Sequence, residues 1–363
     1  MADRVHAGNV GTVLGTTLFS LTPLWRFGAD PVTVLERVAE AGCGPAIEVI
    51  GHQAWRGFPA LSTQDERAFR DAVDHLGLRP VALGIYTDLY RRPGRPLTED
   101  EAFDEVRPQL QAAARLGFGV VRATLGMAPG LMRRILEEAE RHGITLTFEV
   151  QGTTAPDSPA VLDVLALKQE TGSHRLGFTV DFSLSTPALP AAFGTALRRL
   201  GIPGHAVADV HRAWESDGSI GAALAAVSGH SDDPAVTTLV AGVLGRCGRT
   251  RPGDWAHVLP AVHHAHAKFW DPAVESVRAP HGAWLSALAD AGYTGAVVSE
   301  WGGHELLDRA DADPLAITRT HLNLLADLAG ASSENKASEN RASENRASQN
   351  RASQNRASTA VTA

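Results

Sequence analysis

The chain has 363 residues, more than one ordinary compact domain needs and the right size for a barrel of roughly 250 residues with additions. Hydrophobic residues make up 44% of it, enough for a sizeable core, while 41 acidic against 33 basic side chains give a formal charge of −8. That balance argues against nucleic acid or an anionic membrane as the main partner, and two cysteines, Cys43 and Cys247, are too few for a disulfide framework or a cysteine-rich zinc site.

In chain order, Met-Ala-Asp-Arg-Val-His at the start shows no charged region followed by an apolar core, and no run of about 18 apolar residues follows anywhere. The expectation is a soluble, cytoplasmic protein. Short apolar runs then alternate with amphipathic stretches. Runs at 11–19, 45–50, 80–86, 119–125, 144–150, 176–182, 263–270 and 295–301 are short and contain β-branched residues, as strands do. Helical spacing fills the gaps. The stretch 31–42 opens on Asp30-Pro31 and stops at Gly42. The stretch 63–77 opens on Thr63, and 98–117 opens on Thr98 with Glu101 three residues on, a capping box. Stretches 129–143 and 158–172 are similar. Eight strand–helix units imply a parallel sheet closed into an α/β (β/α)8 barrel. An open doubly wound sheet is the rival, but no Gly-x-Gly-x-x-Gly follows the first run.

The stretch 183–262 breaks the rhythm. It is rich in Ala, Gly and Pro, with helices expected near 191–200 and 220–228, and reads as an enlarged connection between strands six and seven: a lid, a subunit contact or a specificity element. The barrel is expected to occupy 1–330. From Ala331 to Ala363 runs a tail of Ala-Ser-Glu-Asn-Arg and Ala-Ser-Gln-Asn-Arg repeats. Those repeats lack large apolar side chains, so disorder is expected.

Function in such a barrel sits at the C-terminal ends of the strands. Glu149 ends the fifth run, Asp181 the sixth and Glu300 the eighth, while His266 lies in the seventh, each within a largely apolar run. A buried carboxylate is costly unless paired or bound to a cation, and three converging carboxylates repel. One divalent ion held by Glu149, Asp181, His266 and Glu300 is the simplest remedy. The donor set suits Mn2+ first, with Mg2+, Co2+ or Zn2+ as alternatives. The competing reading is that each residue pairs separately with an arginine. His264 shares the strand face of His266 and is either the alternative ligand or a pocket residue. His52, Trp301 and His304 follow strand ends and are candidate substrate contacts. Trp55, Phe58 and Trp270 are candidates for stacking on a ring, against a reading as ordinary packing.

The order Glu, Asp, His-x-Lys, Glu on strands five to eight resembles the xylose isomerase-like barrels, the sugar phosphate isomerase/epimerase group, over residues 10–328. The resemblance implies one bound metal, Glu149 and Glu300 as ligands that also exchange protons, and Lys268 as stabiliser of an oxyanion. Ala-Ile-Glu-Val-Ile-Gly-His-Gln-Ala-Trp-Arg-Gly-Phe-Pro at 46–59 and the long connection are similar to the large subunit of C-glycoside deglycosidases. That group, as the resemblance implies, pairs with a small β subunit and cleaves glycosides whose sugar is already a 3-keto form. Two features depart from the simple epimerases: the fourth run, Val-Arg-Ala-Thr-Leu, has no imidazole, and Asp181 and His266 stand far apart in sequence.

The expected activity is therefore proton abstraction next to a carbonyl of a sugar or keto-sugar, as an isomerase or epimerase, with a β-eliminating lyase of 3-keto C- or O-glycosides as the alternative. A non-catalytic barrel subunit and a metal-dependent endonuclease are the readings from other classes. The expected partners are a small sugar or keto-glycoside and either a small β subunit or further copies of the chain, not nucleic acid or membrane.

Overall fold

A computed structural model describes residues 12–307 and 312–331. Eight parallel strands close in sequence order into a barrel. They are β1 (Val13–Thr17), β2 (Ala46–Ile50), β3 (Arg79–Gly84), β4 (Val120–Thr124), β5 (Thr145–Val150), β6 (Leu176–Asp181), β7 (Val262–Phe269) and β8 (Ala296–Trp301). β8 returns to β1, with Val13 beside Ala296 and Thr16 beside Ser299.

Helices separate the strands, and their ends follow the local chemistry expected of the sequence. Asp30 accepts from the Thr33 amide in front of Pro31–Glu40. Thr98 and Glu101 form the capping box of Glu99–Leu116, which stops at Gly117 in the left-handed conformation that glycine adopts freely. One cap differs. Ser62, not Thr63, accepts from the Asp65 amide, and Thr63 is the first helical residue of Thr63–Leu76. A closing helix covers 314–331. No helix among the described residues is long and apolar enough to cross a membrane.

Alternation along the strands sorts the side chains. Outward residues such as Leu146, Phe148, Val150, Phe178 and Val180 join the large core shared with the helices. Burial of each such side chain contributes about 1.5–3 kcal/mol. Inside the barrel the layers change in character with height. Ala46, Ala296 and Val298, with Val13 and Val81, make an apolar floor. Above it the hydroxyls of Thr147 and Thr179 meet at 2.8 Å, and Glu48 and Arg122 pair at 2.8 Å. Glu149, Asp181, His266, Lys268 and Glu300 belong to the C-terminal halves of β5 to β8.

The enlarged connection runs from Phe182 to Ala261; Val262, assigned to it on sequence, already belongs to β7. It holds four α-helices, Ala191–Arg199, Gly204–Asp217, Ile220–Ser228 and Pro234–Leu244. They bury their own core of Phe193, Leu197, Val210, Trp214, Val240 and Leu244, and into it reach Trp270 and Leu306 from beyond β7 and β8. Asp271 fastens the first helix by accepting from the Ala191 and Ala192 amides at 2.9 and 2.8 Å. The repeat tail expected at 331–363 lies outside the described residues from Ser332 onward, as do residues 1–11 and 308–311 of the expected barrel unit.

Candidate metal centre

The strands bring Glu149, Asp181, His266 and Glu300 together: one ligand atom from each lies within 4.8 Å of all the others, and all four residues are buried. His266 Nδ1 is 2.9 Å from Glu149 Oε1 and 2.7 Å from Glu300 Oε2. Yet Nδ1, Glu300 Oε2 and Asp181 Oδ2 make no hydrogen bond. Three buried polar atoms crowded together without a hydrogen bond, two of them 2.7 Å apart, would be costly in a cluster that served structure alone.

The charges agree with a cation at that point. Glu48, Glu149, Asp181 and Glu300 are four buried carboxylates, against the two fixed cations Arg122 and Lys268. With both imidazoles neutral two negative charges remain, which a divalent ion would balance. Burial, then the carboxylates of Glu300 and Glu149, push the Asp181 carboxyl up to about 7 against the pull of Lys268. Burial opposes the charged forms of His266 and Glu300. The carboxylates of Glu48 and Glu300 nevertheless push His266 well above the usual imidazole range, and Lys268 and His266 hold Glu300 far below the usual carboxylate range. Oxygen donors with one imidazole fit a hard or borderline divalent ion.

Lys268 donates to Glu300 Oε1 at 2.6 Å and stands 4.0 Å from Asp181 Oδ2. The Phe19 ring centroid is 5.4 Å from its ammonium. Lys268, Glu149 and Glu300 line one cavity together with Thr17, Phe19, Ile50, Tyr86, Arg122 and Gln151. Gln151 donates to Glu149 Oε2 at 3.3 Å. The cavity therefore presents two carboxylates, an ammonium, an amide and aromatic faces, a set suited to a small polyhydroxylated molecule with a carbonyl.

The other sequence candidates fall elsewhere. His264 does not reach the four-residue cluster; it forms a second buried group of candidate ligands with Glu48 and His266, below the centre, in which its Nε2 donates to Glu48 Oε2 at 2.9 Å. His52 is exposed on the short helix Gly51–Ala54, its ring edge-on to Phe58 at 5.0 Å. Trp301 is 1% exposed and donates to the Trp270 carbonyl, packed in the wall rather than lining the cavity. His304 is buried with neither ring nitrogen partnered, and its ring meets Phe19, a cavity residue, at 4.8 Å. Burial holds its pKa down, at about 4. Trp55 and Phe58 pack against each other within the main core.

Two residues that the sequence reading passed over complete the site. Glu48, from the middle of β2, and Arg122, from β4, connect the imidazoles to Glu149. Arg122 Nε donates to Glu48 Oε1 and Nη1 donates to Glu149 Oε2, both at 2.8 Å. The signal was the one used for Glu149, a charge inside an apolar strand. Glu48 stands in the middle of its strand, not at the C-terminal end where such a barrel carries its function.

No protein-family model matches the chain. It is 31% identical over 332 residues to the C-glycoside deglycosidase alpha subunit of Arthrobacter globiformis, covering 87% of this chain and 92% of that one. It is 32% identical over 306 residues to the 3'-dehydrocarminate deglycosidase alpha subunit of a Microbacterium species, covering 80% and 88%. Among solved structures, D-psicose 3-epimerase from Clostridium cellulolyticum matches with a TM-score of 0.52 at 14% identity, over 86% of this chain and 97% of that one. A sugar phosphate isomerase/epimerase from Parabacteroides distasonis matches at 0.50 and 12%, over 90% and 99%. These two likenesses speak for the fold alone. The sequence relatives speak for more: the chain belongs to the family of C-glycoside deglycosidase alpha subunits, which are enzymes.

Proposed function

We propose that the protein is a divalent-metal-dependent lyase that cleaves a 3-keto glycoside between sugar and aglycone. The carrying observation is the cluster of four convergent ligand atoms beside Lys268, in a chain whose relatives are named deglycosidases. Between the two chemistries expected from sequence, the family favours elimination over isomerisation or epimerisation; all share the first proton abstraction. The name of the Microbacterium relative, 3'-dehydrocarminate deglycosidase, supports a 3-keto sugar as substrate.

Glu149, Asp181, His266 and Glu300 would hold the ion, with Mn2+ as the first choice. A divalent ion held there supplies Lewis-acid polarisation of a substrate carbonyl. Glu149 or Glu300, which line the cavity, takes the proton from the sugar carbon between the ketone and the anomeric carbon. The electron pair of that C–H bond passes to the ketone oxygen, where the Lys268 ammonium offsets the developing charge. Its return forms a carbon–carbon double bond to the anomeric carbon and expels the aglycone with the bonding pair. The aglycone then takes up a proton. His304, beside Phe19, is retained as a candidate substrate contact. His264 acts through Glu48 rather than on substrate. The relatives are alpha subunits, so a smaller second subunit is proposed as partner.

The test is to incubate the chelated and the Mn2+-restored protein, with and without a candidate small subunit, with a panel of 3-keto C- and O-glycosides. Aglycone release that depends on Mn2+ is expected, as is exchange of the substrate's carbon-bound proton with D2O. Full activity after complete metal removal would overturn the metal reading. Epimer formation with no aglycone released would move the assignment to the epimerase alternative.

A further inference from the structure

We propose that Glu48 is a positioning residue that sets the tautomer of His266 and so makes it a ligand, and that Arg122 sets the orientation of Glu48. The inference rests on the four-residue centre being a divalent-ion site and adds two residues beyond its ligands. Glu48 is completely buried in the middle of the barrel. Its Oε2 lies 2.5 Å from His266 Nε2 and 2.9 Å from His264 Nε2, and its Oε1 lies 2.8 Å from Arg122 Nε. A carboxylate can only accept, so both imidazoles carry their proton on Nε2. The proton of a neutral His266 is thereby committed downward. That leaves the lone pair of the neutral ring on Nδ1, which lies 2.9 Å from Glu149 Oε1 and 2.7 Å from Glu300 Oε2 without hydrogen-bond geometry to either, so that an ion held there would take the place of the proton these carboxylates otherwise attract. A carboxylate behind a ligating imidazole in this manner raises ligand basicity and fixes ring orientation.

Arg122 gives the arrangement its direction. A guanidinium only donates, so whatever faces its Nε must accept. Glu48→Gln makes the consequence sharp, because a carboxamide has one accepting and one donating end. Arg122 claims the oxygen, which turns the amide NH2 toward the two imidazoles. His266 must then accept at Nε2 and carry its proton on Nδ1, where it blocks the ion.

Mn2+ alone is the probe, measured by competition with a chromogenic chelator. E48Q is expected to bind it about 10–100-fold more weakly than wild type. Removing the guanidinium frees the amide to turn back, so E48Q/R122M is expected to bind more tightly than E48Q. Long-range 1H–15N spectra of 15N-histidine-labelled wild type with Zn2+ should show His266 protonated at Nε2, a readout that requires no variant to fold. A wild type that binds Mn2+ while E48Q binds it equally overturns the inference alone. So does a Zn2+ form protonated at His266 Nδ1. Equal binding by E48Q and E48Q/R122M overturns the part given to Arg122. A wild type that binds no Mn2+ overturns the four-ligand reading and this inference with it.

Discussion

Two pairs of buried histidines stand on opposite sides of the wall formed by β7 and β8. Inside, His264 and His266 share Glu48. Outside, His281 Nε2 faces the Lys268 carbonyl at 3.1 Å, its Nδ1 meets His321 Nε2 at 3.0 Å, and His321 Nδ1 meets Ser299 Oγ at 2.9 Å. A carbonyl only accepts, so the outer chain has one direction: Ser299 donates to His321, His321 to His281, and His281 to the backbone. Burial lowers the outer pair, with His281 held at about 3 and His321 well below its usual value. Within the inner pair His264 is also lowered, but His266, ringed by carboxylates, is driven the other way. Burial by itself removes charge from an imidazole. Burial among carboxylates creates a place for positive charge, whether a proton or a metal ion.

The strongest way to break that contrast is to remove a carboxylate from the inner side. Glu149→Gln is expected to lower kcat by about 10²–10⁴-fold, as loss of a general base does, measured on a 3-keto glycoside panel. Wild-type rates in that variant would remove Glu149 as the base and leave Glu300. Next in size is the ion itself. With Mn2+ at about 1,000 times its Kd, binding adds about 4 kcal/mol of stability. Chelation is therefore expected to lower Tm, and re-addition to restore it; a Tm indifferent to both would mean that the inner charges are balanced otherwise.

The outer pair supplies the smaller effects. His281→Phe leaves the His321 donor buried and unpaired and is expected to destabilise by about 1–3 kcal/mol in denaturant titrations. The sign of its pH dependence follows from depressed folded-state values. Above about 6.5 both states are neutral and the pair contributes no slope. As pH falls from there toward about 3, the unfolded chain takes up protons that the folded His281 refuses, so stability falls through that window. His281→Phe should flatten the fall between pH 7 and pH 5; an unchanged slope would assign it to other groups. Smallest is a control away from both pairs: Thr98→Ala breaks the capping box and should cost about 1 kcal/mol with kcat unchanged.

The strands, most helix ends and the four converging residues were legible because each depends on local pattern: alternation, caps, and a charge at the end of an apolar run. Glu48 and Arg122 were not. Their meaning lies in partners far off in sequence: Arg122 is 74 positions from Glu48, and His264 is 216 positions from it. Only barrel closure brings these together. Trp301 misled for the opposite reason. It follows Glu300 directly, but successive residues of a strand face opposite sides, so its ring goes into the wall. The absent imidazole on β4 was visible, while its counterpart, a guanidinium tying two carboxylates into one unit, was not.

β7 carries His264, His266 and Lys268 and leads directly to Trp270 and Asp271, which anchor the helices of the long connection. For anyone wishing to graft a different connection onto this barrel, the natural cuts lie just after Asp181 and just before Val262. The graft's real specification lies downstream of both. A replacement would have to offer a hollow for the Trp270 ring and two free amides for Asp271, or the end of the strand that holds Lys268 would lose its anchorage.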